Sequence, residues 1–201
     1  MRATAHIDRP TDEPVVRLAH ALLILSFVAH GAGAQSQVTD CGYDRWPVKV
    51  LRDRDAARVR RDTVRTTIRE LNAIPIPEIP YPRDRRIRPH ELIIYRLSGY
   101  VERLSVEGDH DWHLVLRDPE DSRHTIIVEI PDPACADGTN LGPVYTSARD
   151  ALRHVPKRGL IEVTGVGFFD FIHTQRGISR NGFELHPVLS VRRLTGPLGA
   201  R

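Results

Sequence analysis

Carboxylate and imidazole side chains recur on three strand-like segments that lie far apart in the sequence. The candidates for polar chemistry are Asp109, Asp111, His113, Glu129, Asp170, His173, Glu184 and His186. Side chains alternate between the two faces of a strand, so Asp111 shares a face with His113, and Glu184 shares one with His186. If those strands are neighbours in the fold, the sequence predicts one polar site built from both pairs.

Carboxylates together with imidazoles are suitable ligands for a divalent metal ion. Oxygen ligands alone favour calcium or magnesium, and added histidines shift the preference toward zinc or manganese. The sequence has neither His-x-x-x-His nor Cys-x-x-Cys spacing. We therefore expect a site for calcium, zinc or manganese, or for a small polar ligand. Two alternatives are ion pairs on an exposed sheet face and direct acid–base catalysis.

The segment from Gly165 to Gly182 is a second candidate region. Three of the five phenylalanines of the chain, Phe168, Phe169 and Phe171, lie within it. The secondary polar candidates are Gln175, Arg176 and Asn181 in this segment, and Asp132 after the third strand. The phenylalanines either close one end of a barrel or form a loop that stacks on a ligand.

The elements that position these residues follow a recognisable order. Strands are predicted at 91–107, 112–117, 125–130, 160–166 and 183–194, and a helix at 146–154. This is the chain order of the OB barrel, so we predict a mainly β (α+β) fold: a five-stranded OB-like barrel with one helix between its third and fourth strands. A small sandwich or another α+β sheet is the alternative. With the apolar faces inward, Asp111, His113, Glu129, Glu184 and His186 would all point outward.

An apolar segment near the start of the sequence is typical of an export signal, although the stretch before it is unusually long and contains Asp8, Asp12 and Glu13. The apolar run 21–29 is too short to span a bilayer, and a small-x-small cleavage pattern follows at 32–34. We predict a signal peptide at 1–34, an irregular N-terminal extension with short helices at 35–89, the barrel at 90–195 and a tail at 196–201. The exported chain, periplasmic or extracellular, would have no stable membrane insertion after cleavage.

Two cysteines and a capping motif give further structure to the extension. Cys41 and Cys135 are the only cysteines, and an even pair in an oxidising compartment predicts a disulfide. The sequence Thr67-Ile68-Arg69-Glu70 matches a capping box and predicts a short helix. The segment 74–82 contains four prolines and is predicted to be an extended connector.

Composition sets broad limits on function. Hydrophobic residues make up 40% of the 201 residues and charged residues 27%, as in soluble globular proteins. The net charge of +3 is small, and the clustered arginines are explained by a solvated basic surface. Nucleic-acid binding remains an alternative that these numbers support only weakly.

Several motifs resemble those of a family of exported bacterial proteins. They are Cys41-Gly42, Arg45-Trp46-Pro47-Val48-Lys49, Asp109-x-Asp111-Trp112-His113, Glu129-Ile130-Pro131-Asp132-Pro133-x-Cys135, Gly165-Val166-Gly167-Phe168-Phe169-Asp170-x-x-His173-x-Gln175-x-Gly177 and Asn181-Gly182-x-Glu184-Leu185-His186-Pro187. The resemblance covers nearly the whole mature chain. It implies export and the extent of the domain rather than an activity.

The chain also shows a weaker similarity to staphylococcal-nuclease-like OB domains, which hold calcium between carboxylates. Asp109, Asp111, Glu129 and Asp132 occupy comparable places, and Arg123 or Arg176 would contact a phosphate. One alternative to a simple binding protein is therefore a metal-dependent phosphodiesterase or nuclease-like hydrolase. Another is a non-catalytic binder of nucleic acid or oligosaccharide that uses the barrel face and the arginines.

Overall fold

The computed structural model of the chain describes residues 41–42, 44–172 and 177–195. The predicted signal peptide and tail lie outside these residues, so both stay predictions. The helices are α1 Trp46–Lys49, α2 Ile68–Asn72 and α3 Gly142–Arg153. The strands are β1 Thr63–Arg65, β2 Ile94–Val106, β3 Trp112–Arg117, β4 Thr125–Ile130, β5 Leu160–Phe169 and β6 Phe183–Arg193. Short 3-10 turns lie at Ala56–Arg58, His90–Leu92 and Pro133–Ala136.

Strand β2 closes the barrel because it pairs with two partners along its length. Its second half pairs antiparallel with β3, and its first half pairs antiparallel with β5. The sheet continues from β3 to β4, then through a parallel pair to β6 and an antiparallel pair to β5. The result is the closed five-stranded OB-like barrel that the sequence predicts, with α3 between its third and fourth strands.

The barrel interior is formed by the alternating apolar side chains of the strands. Leu114 and Leu116 of β3, Ile126 and Val128 of β4 and Leu185 of β6 are all buried in one hydrophobic cluster. Helix α3 closes the barrel with Tyr145, Ala148 and Leu152, which share one helix face at spacings of three and four residues. Burial of this cluster is the main favourable contribution to folding.

The structure corrects several details of the predicted elements. Helix α3 begins at Gly142, four residues earlier than predicted, and β5 continues to Phe169, so Phe168 and Phe169 are strand residues rather than loop residues. The sheet carries one additional short strand, β1, parallel to β2. Along β6 the alternation breaks at Pro187, where the register with β5 shifts, and Val188 rather than Leu189 is fully buried.

Two buried arginines attach the N-terminal extension to the start of the barrel domain. Both terminal nitrogens of Arg45 donate to the carboxylate of Glu91, at 2.6 and 2.7 Å, and both side chains are buried. Arg86 pairs with Asp53 within the extension, at 2.8 Å, and donates to the backbone carbonyl of Glu91 at 3.2 Å. The predicted capping box at Thr67 and Glu70 is present at the start of α2. Charged groups buried without such partners would be strongly destabilising.

A disulfide joins Cys41 to Cys135, with 5.7 Å between the Cα atoms, as the sequence predicts. It links the first described residue to the 3-10 turn after β4. Among residues 41–42, 44–172 and 177–195, no helix is long and apolar enough to span a bilayer.

Candidate functional site

Strands β3, β4 and β6 bring the predicted polar residues together on the outer face of the barrel. His113 is the direct cross-strand partner of Glu129, and Val128 pairs with Leu185, which places Glu129 beside Glu184 and His186. Because Val128 and Leu185 point into the barrel, their neighbours along each strand point out of it. These side chains therefore lie on the outward face that strand alternation predicts.

The outer face is nevertheless buried, which corrects the alternative of ion pairs on an exposed sheet face. Only 4% of Asp111 and of His113, 7% of Glu129, 1% of Glu184 and none of His186 is accessible to solvent. Alternation along a strand predicts the face on which a side chain lies, but it does not predict that another part of the chain covers that face.

Glu129 lies between the two histidines. Its Oε1 is 2.7 Å from His113 Nδ1, in a hydrogen bond, and its Oε2 is 2.8 Å from His186 Nδ1. Burial opposes the charged form of Glu129, but His186 and the hydrogen bond from His113 outweigh it and lower the pKa of Glu129 well below its ordinary value. Glu129 is therefore an anion held between two imidazoles.

Asp111 faces the other nitrogen of His186. Its Oδ2 lies 3.2 Å from His186 Nε2, and its Oδ1 accepts a hydrogen bond of 2.9 Å from the backbone N–H of Asp132. Neither nitrogen of His186 forms a hydrogen bond of good angle despite these short distances. One ligand atom each from Asp111, Glu129 and His186 lies within 4.8 Å of the others, so this buried group could hold a metal ion.

The protonation of His186 follows from its neighbours. Burial lowers its pKa, but the charge of Glu129 and the contact with Asp111 outweigh burial, so the pKa of His186 is raised. The two neighbouring carboxylates therefore favour the protonated form of His186. Deprotonated, the same ring offers a lone pair to a metal.

The N-terminal segment 44–50 covers this group, and we call it the covering segment. Its Arg45 guanidinium lies 4.9 Å from the ring centre of Phe168, and its Lys49 ammonium lies 5.6 Å from that centre. The Phe168 ring contacts the His186 ring at 5.6 Å between centres. The preceding Gly42 lies against Asp109, where an added Cβ would be only 2.9 Å from Oδ2.

Lys49 is a member of the site that the sequence did not indicate. Burial opposes its charge, but Glu129, Asp170, Glu184 and Asp109 together outweigh that effect and raise the pKa of Lys49. The signal that could have revealed it is the disulfide, because Cys41 precedes Lys49 and Cys135 follows Asp132, which together bring the two segments close in space.

Among the described residues, the carboxyl group of Glu184 is buried without a hydrogen-bond donor to satisfy it. Neither of its carboxyl oxygens has a hydrogen-bond partner in the described part of the chain. Burial and the charges of Glu129 and Asp170 raise the pKa of Glu184 well above its ordinary value. Such a group is costly in free energy unless a ligand or ion satisfies it.

The remaining candidates occupy different positions. Asp109 is half-buried at the edge of the group, where it accepts from Asp111 N at 3.2 Å, and buried Asp170 lies close enough to act electrostatically on Glu184 and Lys49. Asp132 contributes its backbone N–H, while its side chain caps the following turn and pairs with Arg149. His173, Gln175 and Arg176 lie outside the described residues.

Two candidates have structural positions away from the group. The Asn181 amide donates to the carbonyl oxygens of Leu71 and Ile74, at 2.8 and 2.9 Å, and so attaches the proline-rich connector to the barrel. Arg123, the proposed phosphate contact, is exposed and pairs with Asp121 at 2.6 Å. The three phenylalanines also separate: Phe169 packs in the core, Phe168 lies in the site, and Phe171 stacks on Tyr81 at 5.1 Å.

The comparisons with known proteins identify no relative that bears on the activity. No protein-family model matches the chain, and no curated protein matches it in sequence. The resemblance to exported bacterial proteins therefore stays a prediction.

Several solved structures are similar to this chain, at low sequence identity and low TM-score. The Stn1–Ten1 complex of S. pombe is 15% identical over 52% of this chain and 60% of that one, with a TM-score of 0.34. A putative aspartyl-tRNA synthetase from Leishmania major is 15% identical over 69% of this chain and 21% of that one, with a TM-score of 0.41. An OBody bound to hen egg-white lysozyme is 11% identical over 52% of this chain and 84% of that one, with a TM-score of 0.37. The barrel assignment rests on the strand pairs of this chain itself.

Proposed function

We propose that this protein binds a divalent metal ion through Asp111, Glu129 and His186. The observation that carries the proposal is the convergence of three buried ligand atoms within 4.8 Å, with both nitrogens of His186 beside carboxylate oxygens but without hydrogen bonds of good angle. The two carboxylates pair with protonated His186, and deprotonation of the ring would leave three ligand atoms that a metal ion could share.

Hydrogen bonds from neighbouring groups support this role because they orient the carboxylates of Glu129 and Asp111. His113 donates to the Oε1 of Glu129, and the N–H of Asp132 donates to the Oδ1 of Asp111. Hydrogen bonds of this kind orient metal-binding carboxylates and make them better ligands. The mixture of two carboxylates and an imidazole favours zinc or manganese over calcium.

The experiment is metal binding by the apoprotein, with a matched pair of histidine variants. We expect isothermal titration with Zn²⁺ or Mn²⁺ to give one tight equivalent, and His186→Gln to weaken it by more than about 100-fold, because loss of a supporting contact alone costs about 10- to 100-fold. His154→Gln changes an exposed histidine after α3 and serves as the control. The absence of binding in the wild type, or equal binding by both variants, would overturn the proposal.

We infer further that the protein acts in an oxidising compartment. The Cys41–Cys135 disulfide supports this location, because such bonds persist where thiols are not kept reduced. N-terminal sequencing of protein recovered outside the cytoplasm should find Gln35 first. Detection of Met1 at the N-terminus of the recovered protein would contradict export by this signal. The hydrolase and nucleic-acid-binding alternatives stay predictions.

A further inference from the structure

The proposed metal site continues into a second group of charges on the same covered face. Glu184 experiences the negative charges of Glu129 and Asp170, and Asp109 experiences those of Asp111 and Glu129. These carboxylates therefore share one enclosed region, where like charges interact more strongly than they would in water. Such a concentration of carboxyl groups favours their protonated forms, and a bound cation would stabilise the ionised forms instead.

Glu184 is the carboxyl group of this region whose oxygens are least satisfied by neighbouring groups. Glu129 is held by two imidazoles and Asp111 by a backbone N–H, but both oxygens of Glu184 are without a hydrogen-bond partner in the described part of the chain. The side chain is 1% exposed, so water outside the protein does not satisfy it. It lies two residues from His186 on the outward face of β6, directly opposite Phe168 in β5.

The covering segment supplies a cation at this place. The ammonium of Lys49 lies over the Phe168 ring, and its charge interacts with Glu184, Glu129 and Asp170. It stays out of hydrogen-bonding reach of Glu184, since neither oxygen of that residue has a partner. Lys49 thus provides the sign of charge that a metal ion would provide, as a compact ammonium on a flexible stem.

We propose that Glu184 and Glu129 form a second cation position beside the Asp111–Glu129–His186 site, and that the ammonium of Lys49 supplies its charge in the wild-type protein. This inference rests on the proposed metal-binding function, because Glu129 is shared by both positions. Its ligands are oxygen atoms only, so the second position favours a hard divalent cation such as Mn²⁺. Removal of the lysine charge should allow a second ion to bind.

The test is the number of Mn²⁺ ions that each variant binds in equilibrium dialysis. We expect one ion in the wild type, two in Lys49→Met, and one in the double variant Lys49→Met/Glu184→Gln. Lys157→Met is the matched control because Lys157 is exposed and is the only other lysine of the chain. Electron paramagnetic resonance adds the location, since two Mn²⁺ ions that share Glu129 give a spin-coupled spectrum and distant ions do not.

Each outcome bears on one of the two proposals. If the wild type binds no Mn²⁺ or Zn²⁺, the first site is wrong and the second position is rejected with it. If the wild type and Lys49→Met both bind one ion, the first site stands and the second position is rejected. Two ions in the wild type would refute the role of Lys49.

The variant could also lose its fold, and this result is informative as well. If apo Lys49→Met is unfolded by circular dichroism, it is refolded with excess Mn²⁺, and Lys49→Arg, which keeps the charge, is measured beside it. Folding with two bound ions supports the proposal. Failure to fold at any Mn²⁺ concentration, while Lys49→Arg folds and binds one ion, overturns the view that a metal can replace the ammonium.

Discussion

Replacement of Glu184 by methionine should stabilise the apoprotein. Both oxygens of this carboxyl group are buried without partners, and a buried polar group in that state costs about 1–3 kcal/mol. Methionine has a similar length and fills the same space with apolar atoms, which are favoured by burial. The loss of one of the four carboxylates that interact with Lys49 subtracts from this gain.

We therefore expect the free energy of unfolding of Glu184→Met to exceed that of the wild type by about 1–3 kcal/mol, with the melting temperature rising by about 2–4 °C for each kcal/mol. The assay is urea denaturation at pH 7 in the presence of a chelator, followed by circular dichroism. Glu102→Met, which changes an exposed residue of β2, should stay within about 0.5 kcal/mol of the wild type.

A loss of stability of more than about 1 kcal/mol in Glu184→Met would refute the reasoning, because it would mean that the favourable interaction of Glu184 with Lys49 exceeds the cost of burying its two unpaired oxygens. Such a result would mean that Glu184 has a stabilising partner in the folded apoprotein. A gain in stability would instead identify a residue that weakens the fold, which is a frequent property of functional sites.

Two further predictions concern the ion pairs around the site. Arg45→Met should lower the free energy of unfolding by about 3–5 kcal/mol, because it leaves the buried carboxylate of Glu91 without its cation. Arg54→Met removes an exposed ion pair and should cost less than about 1 kcal/mol. Equal effects of the two substitutions in urea denaturation would contradict the anchoring role of Arg45. The second prediction is a pH dependence of apoprotein stability. The folded state raises the pKa of His186 above its ordinary 6.5, so the stabilisation from this group is complete below pH 6.5 and is lost as the pH rises through the raised value. In urea denaturation, the free energy of unfolding of the wild type should therefore exceed that of His186→Gln by less at alkaline pH than at neutral pH. A difference that is constant or grows over this range would show that the folded state does not favour protonated His186.

The barrel was predictable because each of its strands carries a local signal. Alternation in β3 and β4 gave their boundaries, and the same alternation placed His113 and Glu129 on one face. The prediction failed locally at Pro187, where a change of register against β5 moves Val188 into the core. A shift of this kind depends on the neighbouring strand, which a single segment does not describe.

The burial of the site was not predictable from local patterns. It depends on Arg45 and Lys49, which lie in a short helical turn and its cap with no periodic pattern. Their positions are set by interactions across large sequence separations, with Glu91 for Arg45 and with the Phe168 ring for Lys49. Only the cysteine pair carried long-range information, and used as a distance restraint it would have placed the covering segment near Asp111.

The disulfide has a consequence for how an ion would enter or leave. Cys41 precedes the covering segment, and Cys135 lies in the turn whose first amide holds Asp111. The N-terminal side of the covering segment is therefore covalently attached close to Asp111, and the Arg45–Glu91 pair attaches it again four residues after Cys41. An ion bound beneath the covering segment would exchange through transient local opening of that segment, and so far more slowly than from an open surface. Reduction of the disulfide would remove one of these two attachments and should speed the exchange.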